Sequence, residues 1–169
     1  MEARVEPFNG PLPSIPWRWD AETDILSGAF KDNRKGGGLT GTVELTDAEG
    51  SVAVLDVNQG VICGVDVVVW PEVATIADLQ GPNKDTVAVG RVVIPSRPSR
   101  PGVASMEVDA ALSVQTNPSE SVFHLQIGPT RAVQAVQVAT NFYVEIDADG
   151  ELAGFWLTSV PPFTAFDQG

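Results

Sequence analysis

Valine fills 24 of the 169 positions, while 16 glycines and 13 prolines punctuate the chain. A β-branched residue suits a pleated strand, and Gly and Pro suit the turns between strands, so this pairing favours short strands over long helices. A mostly β protein is predicted. Hydrophobic residues at 43% and charged residues at 19% place the chain in the globular range, far from compositions that stay unfolded. A chain of this length buries about 70% of its unfolded surface and needs no covalent staple.

Strand patterns over 24–30, 41–45, 51–57 and 61–69 are divided by Asp32-Asn-Arg-Lys-Gly-Gly-Gly38, by Thr46-Asp-Ala-Glu-Gly50 and by Asn58-Gln-Gly60, which predicts a meander. Pro71-Glu-Val-Ala-Thr-Ile-Ala-Asp-Leu79 predicts one short helix, with Pro71 near its start and Gly81-Pro82 as its stop. A strand over 86–94 precedes a segment, 95–102, whose three prolines cannot sit in a central ladder and predict a linker or exposed loop. Further strands are expected near 104–115, 121–127, 132–140, 142–147 and 151–160. Residues 1–16 hold four prolines and predict an extended arm that lies over a sheet edge or is partly mobile, and 164–169 form a tail.

An offset of 90 residues, without a gap, aligns Val54 with Val144, Gly60 with Gly150, Gly64 with Gly154 and Pro71 with Pro161. The expectation is an internal duplication, with similar antiparallel units at 17–94 and 103–163 packed as a sandwich or open barrel. The plainer alternative is two unrelated hairpins that share a glycine turn.

Trp19-Asp-Ala-Glu-Thr-Asp-Ile-Leu26 and Glu145-Ile-Asp-Ala-Asp-Gly-Glu-Leu-Ala-Gly-Phe155 carry a family resemblance. The first is similar to the Tyr-Asp-x-Glu-x-Asp opening, and the second to the Asp-x-Asp-x-Asp-Gly-x-x-x-Gly close, of the small bacterial β proteins called domain of unknown function 2283. Trp19 replaces the opening Tyr, and Trp156 stands where a Glu is usual. The resemblance spans two degenerate copies, about 17–73 and 120–163. It implies a small β unit, here doubled, and no activity.

Glu145, Asp147 and Asp149 before Gly150 look like the start of a calcium loop, since alternate acids can turn oxygens toward one cation. Position 12 of such a loop would be a bidentate Glu and is Trp156, so a hairpin turn with solvated acids is favoured over a weak cation site. His124 is the single histidine, and no nucleophile elbow accompanies it, which predicts an ordinary strand histidine. Lys31, Arg34 and Lys35 before Gly36 lack the Gly-Lys-Ser/Thr of a phosphate loop and read as a solvated hairpin tip. No catalytic residue and no cofactor is predicted.

Lys and Arg number 10 against 22 Asp and Glu, a net charge of −12 that repels phosphate backbones and anionic headgroups. Nucleic-acid and membrane partners are therefore not expected. The stretch 61–70 is broken by Gly64 and Asp66 and reaches only about half of the ~20 residues a membrane helix needs. A single Cys63 excludes an internal disulfide framework, and the charged, proline-bearing N-terminal stretch lacks the apolar core of a signal peptide, so a cytoplasmic setting is expected. Trp70 and Trp156 are expected in the core or at the junction of the halves, with Trp17 the exposed anchor beside the arm. Trp17 and Trp19, with Arg97 and Arg100 near Arg91 as a local basic patch, are the predicted interface residues. The expected function is a non-enzymatic acidic module that binds a protein partner, such as an inhibitor covering a basic protein. The alternatives are a structural subunit that self-associates, and a cation-binding module or acid-dependent enzyme using Glu145, Asp147 and Asp149.

Overall fold

The computed structural model describes residues 1–32, 40–95 and 103–163, with the backbone alone for 103–107. Arg97, Arg100, the tip around Arg34 and Lys35, and the tail lie outside the described residues.

The chain runs through β1 (Arg4–Glu6), β2 (Arg18–Trp19), β3 (Leu26–Ala29), β4 (Thr40–Thr46), β5 (Val52–Asn58), β6 (Val61–Val69), β7 (Val73–Thr75) and β8 (Ala88–Val89). It continues through β9 (Arg91–Val93), β10 (Val103–Asp109), β11 (Leu112–Thr116), β12 (Phe123–Ile127), β13 (Val133–Ala139), β14 (Phe142–Asp147) and β15 (Leu152–Leu157). These strands form two sheets, one of which curls into a half-barrel. The first runs β1-β9-β6-β5-β4-β10, with β3 on β6 and β2 on β3, and the second runs β7-β11-β12-β15-β14-β13-β8.

Alternation builds the core from the first sheet: Ala53, Leu55 and Val57 of β5 are buried while their neighbours are half-exposed. They meet Leu125, Val136, Phe142, Val144 and Phe155 of the second sheet in one continuous cluster. Each fully buried Leu, Val or Phe contributes ~2 kcal/mol of apolar transfer. All six residues of β15 are buried, so that strand is covered on both faces, as a central strand under a second layer must be.

The expected helix over 71–79 is absent. Val73–Thr75 is instead a strand that pairs in parallel with β11, because Val, Thr and Ile in this stretch suit a pleated edge and Ile76 donates its N–H to Thr116 O. Residues beyond it cross the outer face of the second sheet, where Leu79 and Val87 cap Val122, Tyr143 and Trp156.

Residues 96–102, the expected linker or exposed loop, lie outside the described residues, and β9 before them and β10 after them both belong to the first sheet. Gly90 breaks the strand expected over 86–94, sending β8 to β13 in the second sheet and β9 to β1 and β6 in the first. A Cβ at Gly90 would lie 2.7 Å from Glu6 O, which is why this crossing point takes glycine. The strand expected over 104–115 also splits: β10 pairs in parallel with β4, and β11 crosses to the other sheet.

The two aligned hairpins differ in detail. Gln59 and Gly60, at φ 51 and 85, close β5 and β6 with the two positive dihedrals of a type I′ turn. The β14–β15 turn is longer, so Asp56 faces Gly64 eight residues on and Glu145 faces Gly154 nine residues on. Its nearest match is the β4–β5 turn: Asp47 and Asp147 each accept two backbone N–H groups on Oδ1, and Gly50 and Gly150 both take positive φ. Shared turn chemistry accounts for this likeness.

The N-terminal arm lies across both sheets. Ala3 N donates to Gly150 O, β1 pairs with β9, and Thr140 N donates to Pro13 O. Asn141 then clasps Ile15, accepting from its N–H at 2.9 Å and donating to its carbonyl at 2.7 Å. Among the described residues no helix is long and apolar enough to cross a membrane.

Candidate functional site

Trp17, the expected exposed anchor, is buried at 5% exposure. Its ring meets Phe142 edge-on at 5.6 Å, and its indole donates to Asn141 O. Trp19, two residues on, reaches the end of the sheets instead. There it stacks on Trp70 at 5.7 Å and meets Phe123 and Phe163 edge-on at 5.9 and 5.4 Å. Phe123 also lies 5.3 Å from Trp70. These four rings line a cleft of about 250 Å³ that opens to solvent, with Asp24 and Glu120 also in its wall.

Local structure sets each part of the cleft. Trp19 pairs with Leu26 across β2 and β3, and Leu26 in turn pairs with Val67 of β6, so Trp19 at the end of β2 and Trp70 just after β6 lie at the same end on either side of β3. The turn between β2 and β3 is held by Asp20, whose Oδ1 accepts from Glu22 and Thr23, and it leaves Asp24 at φ 60. The turn before β12 is held by Asn117, whose Oδ1 accepts from Ser121 and Val122, and it leaves Glu120 at φ 55. Both indoles spend their N–H groups on backbone: Trp19 donates to Pro161 O at 2.9 Å and Trp70 to Asp24 O at 2.7 Å. Neither acid is in an ion pair with a described cation.

A second cluster lies on the outer face of the second sheet. Register places Gln115, His124, Trp156, Tyr143 and Gln137 in one row across five strands. Glu145, from the adjacent row, faces Gly154 across the ladder, and its Oε1 lies 2.6 Å from His124 Nε2 while Oε2 accepts from Trp156 Nε1 at 3.1 Å. With the carboxylate as acceptor, Nε2 is the ring nitrogen that carries hydrogen. The imidazole stacks on Trp156 at 4.0 Å and 7°. Glu145 is 6% exposed, so the reading of it as a solvated turn acid is corrected.

The three acids proposed as cation ligands do not converge. Glu145 is committed to His124 and Trp156, and Asp149 is exposed at the turn. Asp147 accepts from Arg131 Nε at 2.8 Å, a hydrogen bond that, with backbone N–H groups of the turn, holds its carboxyl below the usual range. Among the described residues no group of three potential ligands could hold a metal ion.

Elsewhere, Arg91 of β9 is tied to Asp32 at 2.7 Å and covers the Phe8 ring, so its guanidinium packs against the arm. Burial pushes the Cys63 thiol up to about 12, with nearby Asp32 adding to it, which suits a small apolar filler. On the first sheet, burial pushes the Asp56 and Asp66 carboxyls up, and Asp66 is raised further by the Asp56 charge and lowered by Arg18.

Fold and site together define a two-sheet β domain with an acid-edged aromatic cleft at one end. Set against known proteins, its sequence matches no family model, and no curated protein matches it.

Proposed function

We propose that this chain is a non-enzymatic acidic interaction module that covers a basic protein partner, as an inhibitor or immunity-type protein does. The observation that carries this reading is the cleft, in which four aromatic rings and two carboxylates without a described cationic partner meet on a chain of net charge −12. Large rings supply affinity at low entropic cost, and the surrounding negative field steers a basic partner inward. The resemblance to domain of unknown function 2283 adds no activity to this reading.

The test measures association of the purified chain with a Lys/Arg-rich peptide and with an acidic peptide of equal length. Raising ionic strength from about 0.01 to about 0.15 M shrinks the screening length from about 30 to about 8 Å, so the association rate with the basic peptide should fall steeply. A rate independent of salt, or equal binding of the acidic peptide, overturns the reading.

A second reading, self-assembly through sheet edges, is favoured by β7, an edge strand exposed at all three residues beside Ile76, itself 38% exposed. Light scattering at increasing concentration decides it: a discrete multiple of 17.9 kDa supports assembly, and one monomeric mass at every concentration rejects it.

A further inference from the structure

We infer that the aromatic cleft receives a single arginine side chain presented by the basic partner, an inference that rests on the interaction-module reading above. Volume limits the guest first. About 250 Å³ falls below the roughly 300–1,000 Å³ typical of sites that enclose a drug-sized ligand, so one side chain is the natural occupant.

Wall chemistry then selects its head group. Trp19 and Trp70 have already donated their N–H groups to Pro161 and Asp24 carbonyls, which leaves them to offer π surface. Among the described residues, the acidic groups in the wall are those of Asp24 and Glu120, and no Lys, Arg or His lines the cleft. An anionic guest would meet two like charges. A neutral apolar guest would dry the carboxylates without compensating them, which is costly. A guanidinium satisfies both surfaces: it is permanently charged, weakly hydrated, stacks on rings and donates a fork of N–H groups to carboxylate. The ammonium of lysine is more strongly hydrated and has no plane to stack.

Backbone conformation supplies an independent observation. Among the described residues four non-glycine residues have positive φ, and two of them, Asp24 and Glu120, are the acids of this cleft. Glycine would occupy the left-handed region at less cost. Two unrelated turns, one held by Asp20 and one by Asn117, thus each place an acid where the local backbone would prefer glycine.

The experiment titrates the full chain with three short peptides that differ at one position: arginine, lysine, or citrulline, the uncharged isostere of arginine. Tryptophan fluorescence and calorimetry read the affinity. The arginine peptide should bind about 10-fold more tightly than the citrulline peptide, the gain expected for a partly desolvated cation over aromatic faces. Trp70→Ala and the double change Asp24→Asn with Glu120→Gln should each remove most of that gain, whereas Trp70→Phe, which keeps a ring, should retain part of it. Equal binding of citrulline and arginine overturns the cation assignment, and equal binding of lysine overturns the guanidinium assignment. If the cleft variants keep the wild-type, salt-sensitive binding of a Lys/Arg-rich peptide, this inference falls while the module reading stands. If the wild-type chain binds no basic peptide at low salt, both fall.

Discussion

Among the described residues two places bring tryptophan and carboxylate together, and they use them in opposite ways. On the outer face of the second sheet, Glu145 accepts from the Trp156 indole and pairs with His124, and the cluster is capped by Leu79 and Val87. At the end of the sheets, the Trp19 and Trp70 indoles donate to backbone carbonyls, and the side-chain carboxyl groups of Asp24 and Glu120 are left facing a cleft without an indole or a described cation as partner. The same residue types therefore make a closed structural network in one place and an open cleft in the other. What decides between them is where the indole N–H goes: once it binds a side-chain carboxylate, both groups are used up.

The largest effect should come from opening the closed cluster. Glu145→Ala leaves a buried indole and an imidazole without their acceptor, and should lower stability in urea unfolding by ~3 kcal/mol, as for other broken buried pairs. A loss below about 1 kcal/mol would place Glu145 among solvated acids after all. Gly154→Ala attacks the same cluster through its backbone, because the added Cβ would lie 2.5 Å from Leu125 O and 2.7 Å from Glu145 Oε1. It should cost ~2 kcal/mol, in the range for overpacked interiors, and a neutral outcome would show that the carboxylate does not need that space.

At the open cleft the expected sign reverses. Glu120→Gly removes a left-handed side chain at φ 55 and should stabilise the fold by ~1 kcal/mol while weakening arginine-peptide binding. Stabilisation without loss of binding would separate Glu120 from the receptor.

The smallest effects concern pH and the first sheet. Burial raises the carboxyls of Asp56 and Asp66 in the folded state, so their contribution is fully present below the unfolded carboxylate pKa and is lost as pH rises through the raised folded values. Asp66→Asn should therefore raise the melting temperature at pH 7, and the gain should shrink in acid. Asp147 has the opposite sign: its carboxyl is lowered, so its contribution holds above the unfolded value and is lost as pH falls through the folded one. Arg131→Ala should flatten that acid limb, and an unchanged melting profile below pH 4 would contradict the assignment.

Much of the fold was legible because local pattern decides it. Val61–Val69 could be read from an apolar run bounded by Gly60 and Pro71, and the acidic turns from Asp and Gly at fixed spacing. The misread helix at 71–79 shows the limit of punctuation, since Pro71 and Gly81 bound a strand and loop as readily as a helix. The β-branched Val73, Thr75 and Ile76 were the better guide. Parallel pairing of β10 with β4 joins segments far apart in sequence and leaves no local trace.

The sites divide in the same way. Glu145 had a readable signal in Gly154, a glycine inside a strand pattern, which marks a close approach. The cleft had none, because Trp19, Trp70, Phe123 and Phe163 meet only through sheet packing. Trp17 and Trp19 alternate around Arg18 in the sequence, and tertiary structure alone determines that Asn141 and Phe142 meet the first and that the second lines the cleft.

The most direct test follows the four indole N–H resonances by NMR, each assigned through a Trp→Phe variant, during titration with the arginine peptide. Every indole has its own acceptor: Asn141 O for Trp17, Pro161 O for Trp19, Asp24 O for Trp70 and the Glu145 carboxylate for Trp156. The Trp19 and Trp70 signals should move together and saturate with one peptide per chain, while those of Trp17 and Trp156 stay in place. Movement of Trp156 in place of Trp19 and Trp70, or no movement of any of the four, would contradict the division of this molecule into one closed cluster and one open receptor.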